Sequence, residues 1–452
     1  MKGGSGITID SDDNVFEYCF TSENEGGAWY LVNTNINDNG STYSYLGAKK
    51  GGAFYLDSSD LTLSDASFTE VQGDEGGVIY VEDDSSVSLD DVSVSNVFAA
   101  TLGGFMYING ASTGSAQLLE IKNDFSLIDA TLGEDGLGGG FYIDDSYFTV
   151  DFTTGNGATS IVVDNVAQSF LYLENVAEVD VDLGTYTELT SDSTIGSFLH
   201  SIAPDLDLDV ENLEISCLGD ENNDFADAVS LTYATQSSSL TSQLGSNGGA
   251  FFVSNDRTVN ALTSVVSSAN KVHGCYTSAT GGAWTLKSVD FTDQNSEYSY
   301  TTAVKGGVFY AENSALDVSD VTFTTHEAFQ GGVAYLEHPG DTSFVNVAGY
   351  DDGGTEVFMA YQFSDDGAGG VFYIEDDTTT WGAYTTTPTL TLENWQIQYA
   401  SAEGNGGFAY VDVADLDVSM DTMVFEDLQS EGSGGGFYAI AWDDIEMDNI
   451  EV

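Results

Sequence analysis

The sequence predicts an all-β fold: a single-stranded, right-handed parallel β-helix, a solenoid of about 15 rungs of ~25 residues with three short strands each. Three observations carry this. A glycine doublet followed by an aromatic-aliphatic run recurs along the chain, as in Gly26-Gly27-Ala28-Trp29-Tyr30-Leu31 and Gly51-Gly52-Ala53-Phe54-Tyr55-Leu56, and on to Gly406-Gly407 and Gly435-Gly436. Its cleanest intervals, 26 to 51 to 76 and 281 to 306 to 331, are all 25 residues. Between doublets, apolar and polar residues alternate with a period of two, and no stretch sustains a helical period with caps.

Each rung divides into the same parts. After Gly51-Gly52, the run Ala53-Phe54-Tyr55-Leu56 reads as a short strand and Asp57-Ser58-Ser59-Asp60 as a turn. A second strand, carrying Leu61 and Leu63, and a third, carrying Phe68, complete the rung. Leu316, Val318 and Phe323 repeat that spacing after Gly306-Gly307. One rung cannot bury its own apolar face, whereas stacked rungs can. Glycine at the corner allows positive φ and close approach of stacked backbones. Leucine-rich repeats need a helix or an asparagine ladder, and propeller blades need about 40 residues, so both fit less well.

The expected organisation is one continuous β-helix over 1–452. Rungs over 165–247 have degenerate corners: Gln168-Ser169 precedes Phe170-Leu171-Tyr172-Leu173, and Ala226-Asp227-Ala228-Val229-Ser230-Leu231 keeps no glycine. Longer gaps predict loop insertions near 110–137, 338–366 and 377–390, with Pro339-Gly340-Asp341 as one tip. Gly3-Gly4 reads as mid-repeat, and Ile445 to Val452 as a strand pattern cut before its turn. The expectation is therefore a mature or partial chain.

Composition narrows the function classes. The chain holds 74 Asp plus Glu against 8 Lys plus Arg, a formal net charge of -66. Aromatic content of 12% and periodic apolar positions argue for an ordered acidic surface rather than a disordered tail. Phosphate contacts need Lys and Arg, so no nucleic-acid partner is expected. No run reaches the ~18 apolar residues of a membrane helix, so no membrane insertion is expected. Cys19, Cys217 and Cys275 have no metal-site or CxxC spacing. Cys19 and Cys275 precede a doublet by seven and six residues, which suggests equivalent rung positions. All three read as small buried hydrophobes.

The doublet-plus-strand pattern resembles the GGAI half of the repeats in the polymorphic outer-membrane protein family. That resemblance covers most of 20–445 and implies a surface-exposed right-handed parallel β-helix with a role in adhesion. The second family motif, F-x-x-N, is mostly missing: Phe68-Thr69-Glu70-Val71 and Phe323-Thr324-Thr325-His326 keep the Phe and lose the Asn.

Within the doublet strand, positions four and six are apolar (Phe54/Leu56, Ile79/Val81, Met106/Ile108) and are expected inward. Positions three and five then face out. Position five is tyrosine in ten rungs: Tyr30, Tyr55, Tyr80, Tyr107, Tyr142, Tyr310, Tyr335, Tyr373, Tyr410 and Tyr438. This stripe is the candidate binding or interface surface. Two alternatives stay open: a self-stacked ladder with no partner, and an inverted strand with tyrosine inside.

Acidic doublets at turns are weak Ca²⁺ candidates: Asp83 with Asp84, Asp144 with Asp145, and Asp376 with Asp377. The EF-hand and nonapeptide Ca²⁺ patterns are absent, so no metal site or cofactor is assigned beyond a possible Ca²⁺. No catalytic residue is assigned. His200, His273, His326 and His338 are scattered, Arg257 is the sole arginine, and no Ser-His-Asp elbow or phosphate loop occurs.

The expected function is a structural, non-enzymatic, extracellular or cell-surface rod. It would self-associate end to end or laterally into a filament or surface layer, since unpaired strand edges recruit further strands. The alternative is an adhesin or glycan-binding stalk. A polysaccharide-active enzyme ranks third.

Overall fold

The structure is a computed structural model that describes residues 7–110, 117–133, 136–144, 148–153, 158–166, 168–176, 178–187, 198–202, 206–217, 249–255, 263–275, 277, 280–350, 358–360, 367–376, 387–414, 416–441 and 444–451. The chain divides into two compact units, Met1–Ser191 with Ser197–Leu213, and Asp192–Gly196 with Glu214–Val452. Each is an all-β parallel solenoid. There are about 12 turns in all, and no helix among the described residues.

A turn of the first unit shows how the sequence makes the fold. Gly51 takes φ 60° and Gly52 follows it into the corner. Strand Phe54–Asp57 comes next, then a bend at Ser58 with φ 51°, strand Leu61–Ser64, a bend at Asp65 with φ 50°, and strand Ser67–Glu75. Bends repeat in place from turn to turn, mostly on Asp, Asn and Ser but also on Ala269, His338 and Thr422; outside glycine, Asn and Asp tolerate the left-handed region best. Strand Phe54–Asp57 pairs in parallel with Trp29–Val32 on one side and Ile79–Glu82 on the other, in register throughout.

Positions four and six point inward as expected: Phe54, Leu56, Ile79, Val81, Met106, Ile108, Phe141, Ile143, Phe372 and Ile374 are all buried. Leu61, Leu63, Phe68 and their counterparts Leu316, Val318 and Phe323 close the core from the other two sides. Position three differs from expectation, because it lies in the bend and not in the strand. The alternation therefore does not reach it, and the side chain turns inward. Phe105 packs on Phe141 at 5.4 Å between ring centroids, and Phe408 on Trp395 at 6.2 Å.

Two doublets shift by one. The left-handed glycines are Gly138 and Gly434, so Gly140 and Gly436 occupy position three of glycine triplets. The insertion expected near 110–137 contains a strand, Gln117–Leu132, paired in parallel with Val87–Leu102 across one register shift after Asp90. Strand Thr342–Tyr350 likewise occupies part of 338–366, and Thr389–Ala402 begins inside 377–390. Pro339-Gly340-Asp341 is a corner rather than a loop tip. Pro339 is buried, and the Gly340 N–H donates to Ser314 O at 2.8 Å. Of the degenerate rungs, Leu171–Leu173 and Leu199–Ser201 are strands in register. Ala226 to Leu231 lies outside the described residues.

The two units share a duplicated block. Residues 26–82 and 281–337 align at a uniform offset of 255 without a gap, and 27 of the 57 positions are identical. Ser11, Asn14 and Cys19 match Ser267, Asn270 and Cys275 at an offset of 256.

Candidate functional site

The tyrosine stripe is a ladder of ring contacts, stacked at most steps and edge-to-face at Tyr80–Tyr107 and Tyr107–Tyr142. Strand register sets each position-five residue directly over the next: Tyr30, Tyr55, Tyr80, Tyr107, Tyr142, Tyr172 and His200 in the first unit. In the second unit the column runs Thr285, Tyr310, Tyr335, Tyr373, Tyr410 and Tyr438. Ring centroids lie 4.9 Å apart for Tyr30–Tyr55, 4.8 Å for Tyr335–Tyr373 and 4.7 Å for Tyr373–Tyr410, all stacked. These distances follow from the strand spacing of about 4.8 Å, which suits a π-stack, and each such pair adds about 0.5–1.5 kcal/mol. Tyr172 and His200 belong to the ladder although their doublets are lost. Leu171 and Leu173 flanking Tyr172 were the signal for that place in the strand.

The ladder faces away from the core yet is largely buried. Tyr55, Tyr80, Tyr107, Tyr142, Tyr310, Tyr335 and Tyr373 are 1–9% exposed. Tyr410 and Tyr438 are partly buried, and only Tyr30, with no described ring on its outer face, reaches 57%. Neighbouring rings cover each face, and charged side chains cover the hydroxyl edge. Tyr55 donates to Glu82, Tyr335 to Glu375, and Tyr310 to Glu337 at 2.7 Å. Lys50 donates to the Tyr80 hydroxyl at 2.9 Å, and its duplicate Lys305 to the Tyr335 hydroxyl at 2.7 Å. Both ammonium groups lie close to the ring itself, 4.3 and 4.2 Å from its centroid. Burial first, and then the adjacent glutamates, push the Tyr55, Tyr142, Tyr310 and Tyr335 hydroxyls well above the usual phenol range. The phenols therefore stay neutral donors. The apolar platform expected for a partner is largely consumed by self-stacking.

A second arrangement was not singled out from the sequence. In the second unit Asp293 is fully buried and accepts from Ser296 Oγ at 2.6 Å, Ser267 Oγ at 2.7 Å and Tyr298 OH at 2.8 Å. The Trp284 indole N–H donates to the same Tyr298 oxygen at 3.0 Å. The first unit repeats this: Asp38 accepts from Ser41 at 2.7 Å and Tyr43 at 3.0 Å, and Trp29 donates to Tyr43 at 3.3 Å. Burial raises the Asp293 pKa, and the three hydroxyl donors oppose that. Each network fastens the second and third strands to the doublet strand, with every carboxylate oxygen satisfied. The pattern D-x-x-S-x-Y recurring at offset 255 was the available signal.

The cysteines depart from expectation. Cys217 and Cys275 form a disulfide. Cys19 is free and occupies the Cys275 position in its own unit. Gly47 N–H donates to the Cys19 carbonyl, and Thr302 N–H to that of Cys275, both at 3.1 Å.

Of the Ca²⁺ candidates, Asp83 forms a left-handed corner, Asp144 accepts from Asn175, and Asp376 bonds His338 Nδ1 at 2.6 Å. Asp84 is described but joins no metal-holding group, while Asp145 and Asp377 lie outside the described residues. Among the described residues no group of three or more His, Cys, Asp or Glu is arranged to hold a metal. The histidines are not brought together. His200 stacks on Tyr172 at 4.8 Å, and His326 shares a 2.7 Å bond with Thr301; burial lowers both to about 3. His273 pairs with Ser299 at 2.9 Å. Arg257 lies outside the described residues.

Stacked carboxylates do occur. Asp151 and Asp180 are in register on adjacent strands. Burial, and then the charges of Asp209 and Asp151, push Asp180 up to about 6. A carboxyl whose folded pKa exceeds its unfolded value binds more protons when folded, so it lowers stability as pH rises from about 4 to about 6. Asp180→Asn is expected to stabilise the first unit by on the order of 1 kcal/mol at pH 7, allowing for solvent screening, with little change at pH 4. Urea midpoints at the two pH values check this.

Comparison with known proteins finds no matching family model, no matching curated protein and no matching solved structure.

Proposed function

We propose that the protein is a structural, non-enzymatic β-solenoid of right-handed winding that stacks end to end with further copies at a cell surface or outside the cell. The observation that supports this reading is where apolar surface is exposed. Among the described residues, the large hydrophobics more than half exposed are Ile7, Val15, Tyr18, Phe20 and Tyr30 in the first described turn and Ile440 in the last. Val15 is 67% exposed and Ile440 56%. Among the described residues, strands Ile7–Asp12 and Val15–Glu17 each pair on one side only, with Thr34–Asn39 and Thr42–Gly47. In the second unit, among the described residues, Phe437–Ala441 pairs only with Ala409–Asp412, and Asp444–Glu451 only with Asp417–Ser430. Such edges template another strand, and joining unlike ends gives an open, heterologous series.

Right-handed winding follows the near-universal hand of parallel β crossovers. The Cys217–Cys275 bond fits an oxidising compartment. The doublet-and-strand pattern fits the kind of surface setting that the polymorphic outer-membrane proteins occupy. Lateral association has less support, because the ladder covers itself.

Electron microscopy and light scattering of the purified chain test the reading. End-to-end series are expected, and Val15→Lys should break them into single copies while leaving the circular dichroism unchanged. Single copies at every concentration for the unsubstituted chain would overturn it.

A further inference from the structure

Strand register fixes which side chains meet when one copy joins the next. Glu446 pairs with Ser419, Ser419 with Thr391, Thr391 with Ser343 and Ser343 with Asp317. Asp448 reaches Ser319 in the same way, through Asp421, Glu393 and Val345. Asp317 and Ser319 stand 255 residues after Thr62 and Ser64, inside the duplicated block. From Thr62 and Ser64 the two columns run to Asn37 and Asn39, and end on Asp10 and Asp12. A copy joined end to end in the register of the fold therefore sets Glu446 opposite Asp10 and Asp448 opposite Asp12. Each pair is one strand spacing apart, about 4.8 Å. All four residues are exposed.

Within the chain, an asparagine on the following turn answers several of the outward acids. Asn37 donates to Asp10 at 3.0 Å, Asn39 to Asp12 at 2.8 Å, Asn346 to Asp320 at 2.9 Å and Asn449 to Asp421 at 2.8 Å. Elsewhere acid meets acid, as where Glu120, Asp151 and Asp180 share a column. There burial, and then the charges of Asp209 and Asp151, push Asp180 up to about 6. The joint is of this second kind, because both of its facing pairs are carboxylates. The other charged groups beside them are Asp13, Glu17 and Asp38 at one end, and Asp417, Asp421, Asp444 and Glu451 at the other. No Lys or Arg lies on strands Ile7–Asp12, Val15–Glu17, Thr34–Asn39, Asp417–Ser430 or Asp444–Glu451 to offset them.

We propose that the facing pairs Glu446–Asp10 and Asp448–Asp12 gate end-to-end joining, holding copies apart while both members are charged and closing the joint when one member of each pair takes up a proton. This rests on the end-to-end reading above. Like charges one strand spacing apart disfavour double ionisation, so the joined state binds more protons than separate copies do. By linkage, joining strengthens as pH falls through the range in which the pairs protonate, and weakens as pH rises. A protonated Glu446 or Asp448 can donate to the carboxylate it faces, as an asparagine does elsewhere in the chain. Salt acts in the same direction at neutral pH, because it screens exposed charges.

The test is analytical ultracentrifugation of the whole chain over a concentration series at pH 7 and pH 5, with electron microscopy to identify end-to-end series. The concentration at half-joining should fall at least tenfold from pH 7 to pH 5. Glu446→Gln combined with Asp448→Asn should bring the pH 7 value to within about twofold of the pH 5 one. Asp65→Asn combined with Asp290→Asn removes the same charge from exposed positions on interior turns. That variant should stay within about twofold of the unsubstituted chain at pH 7, which separates the facing pairs from the net charge of -66. The gate is overturned, and the stacking reading stands, if the unsubstituted chain joins equally well at both pH values or if the two double variants join alike at pH 7. Single copies at every pH and concentration overturn the stacking reading, and the gate with it.

Discussion

Gly307→Ala is expected to destabilise the second unit by about 3 kcal/mol or more, one of the two largest effects of any single substitution considered. The second glycine of each doublet lies against the backbone of the next turn. A Cβ on Gly307 would sit 2.0 Å from Gly332 O, and one on Gly52 would sit 2.2 Å from Gly77 O. Both obstacles are main chain and cannot swing aside as a side chain could. Relief therefore requires two stacked turns to separate, breaking the parallel pairing that includes Phe309–Glu312 with Ala334–Glu337. The same position supplies its own control. Gly435 is the second glycine after left-handed Gly434, and nothing lies within 4 Å of a Cβ built there. Gly435→Ala should be neutral to within about 0.5 kcal/mol. Urea unfolding of both variants decides it. A Gly307→Ala midpoint within error of the unsubstituted chain would sink the close-stacking account.

Cys275→Ser is expected to cost about 4 kcal/mol, by the loop-closure relation for a crosslink of this sequence separation. Cys217 and Cys275 are 58 residues apart. Their bond ties neighbouring turns where strand pairing is short: Glu214, Ile215 and Ser216 align with Lys271, Val272 and His273. Reduction of the unsubstituted protein should lower its melting temperature by the same amount as the substitution. Cys19→Ser should not, although Cys19 holds the equivalent place in the first unit. Equal melting curves with and without reductant would show that strand stacking alone holds these turns.

The period, the three-strand turn and the inward residues were legible in the sequence, because they depend only on spacing and on two-residue alternation. Phe54, Leu56, Leu61 and Phe68 could be placed without knowing their neighbours. The ladder could not be read so fully. Alternation puts Tyr80 and Tyr335 outside, yet their burial depends on rings one turn away and on Lys50, Lys305 and Glu375, which lie 30 to 40 residues along the chain. Position three was misread because the strand begins only at position four, so Phe105 and Phe408 escape the alternation. The disulfide was hidden because spacing shows equivalent positions, as for Cys19 and Cys275, but not which residue stands beside each.

The uniform offset of 255 bears on ancestry. Lys50 with Tyr80, Asp38 with Tyr43 and Trp29, and the doublets around them were copied as one block and kept their internal spacing. Because each turn of a solenoid touches only its neighbours, a gene can gain or lose whole blocks by unequal recombination without disturbing the contacts inside any of them. Length is then a heritable variable that selection can tune in steps, while the two copies are free to diverge, as Tyr30 and Thr285 have done.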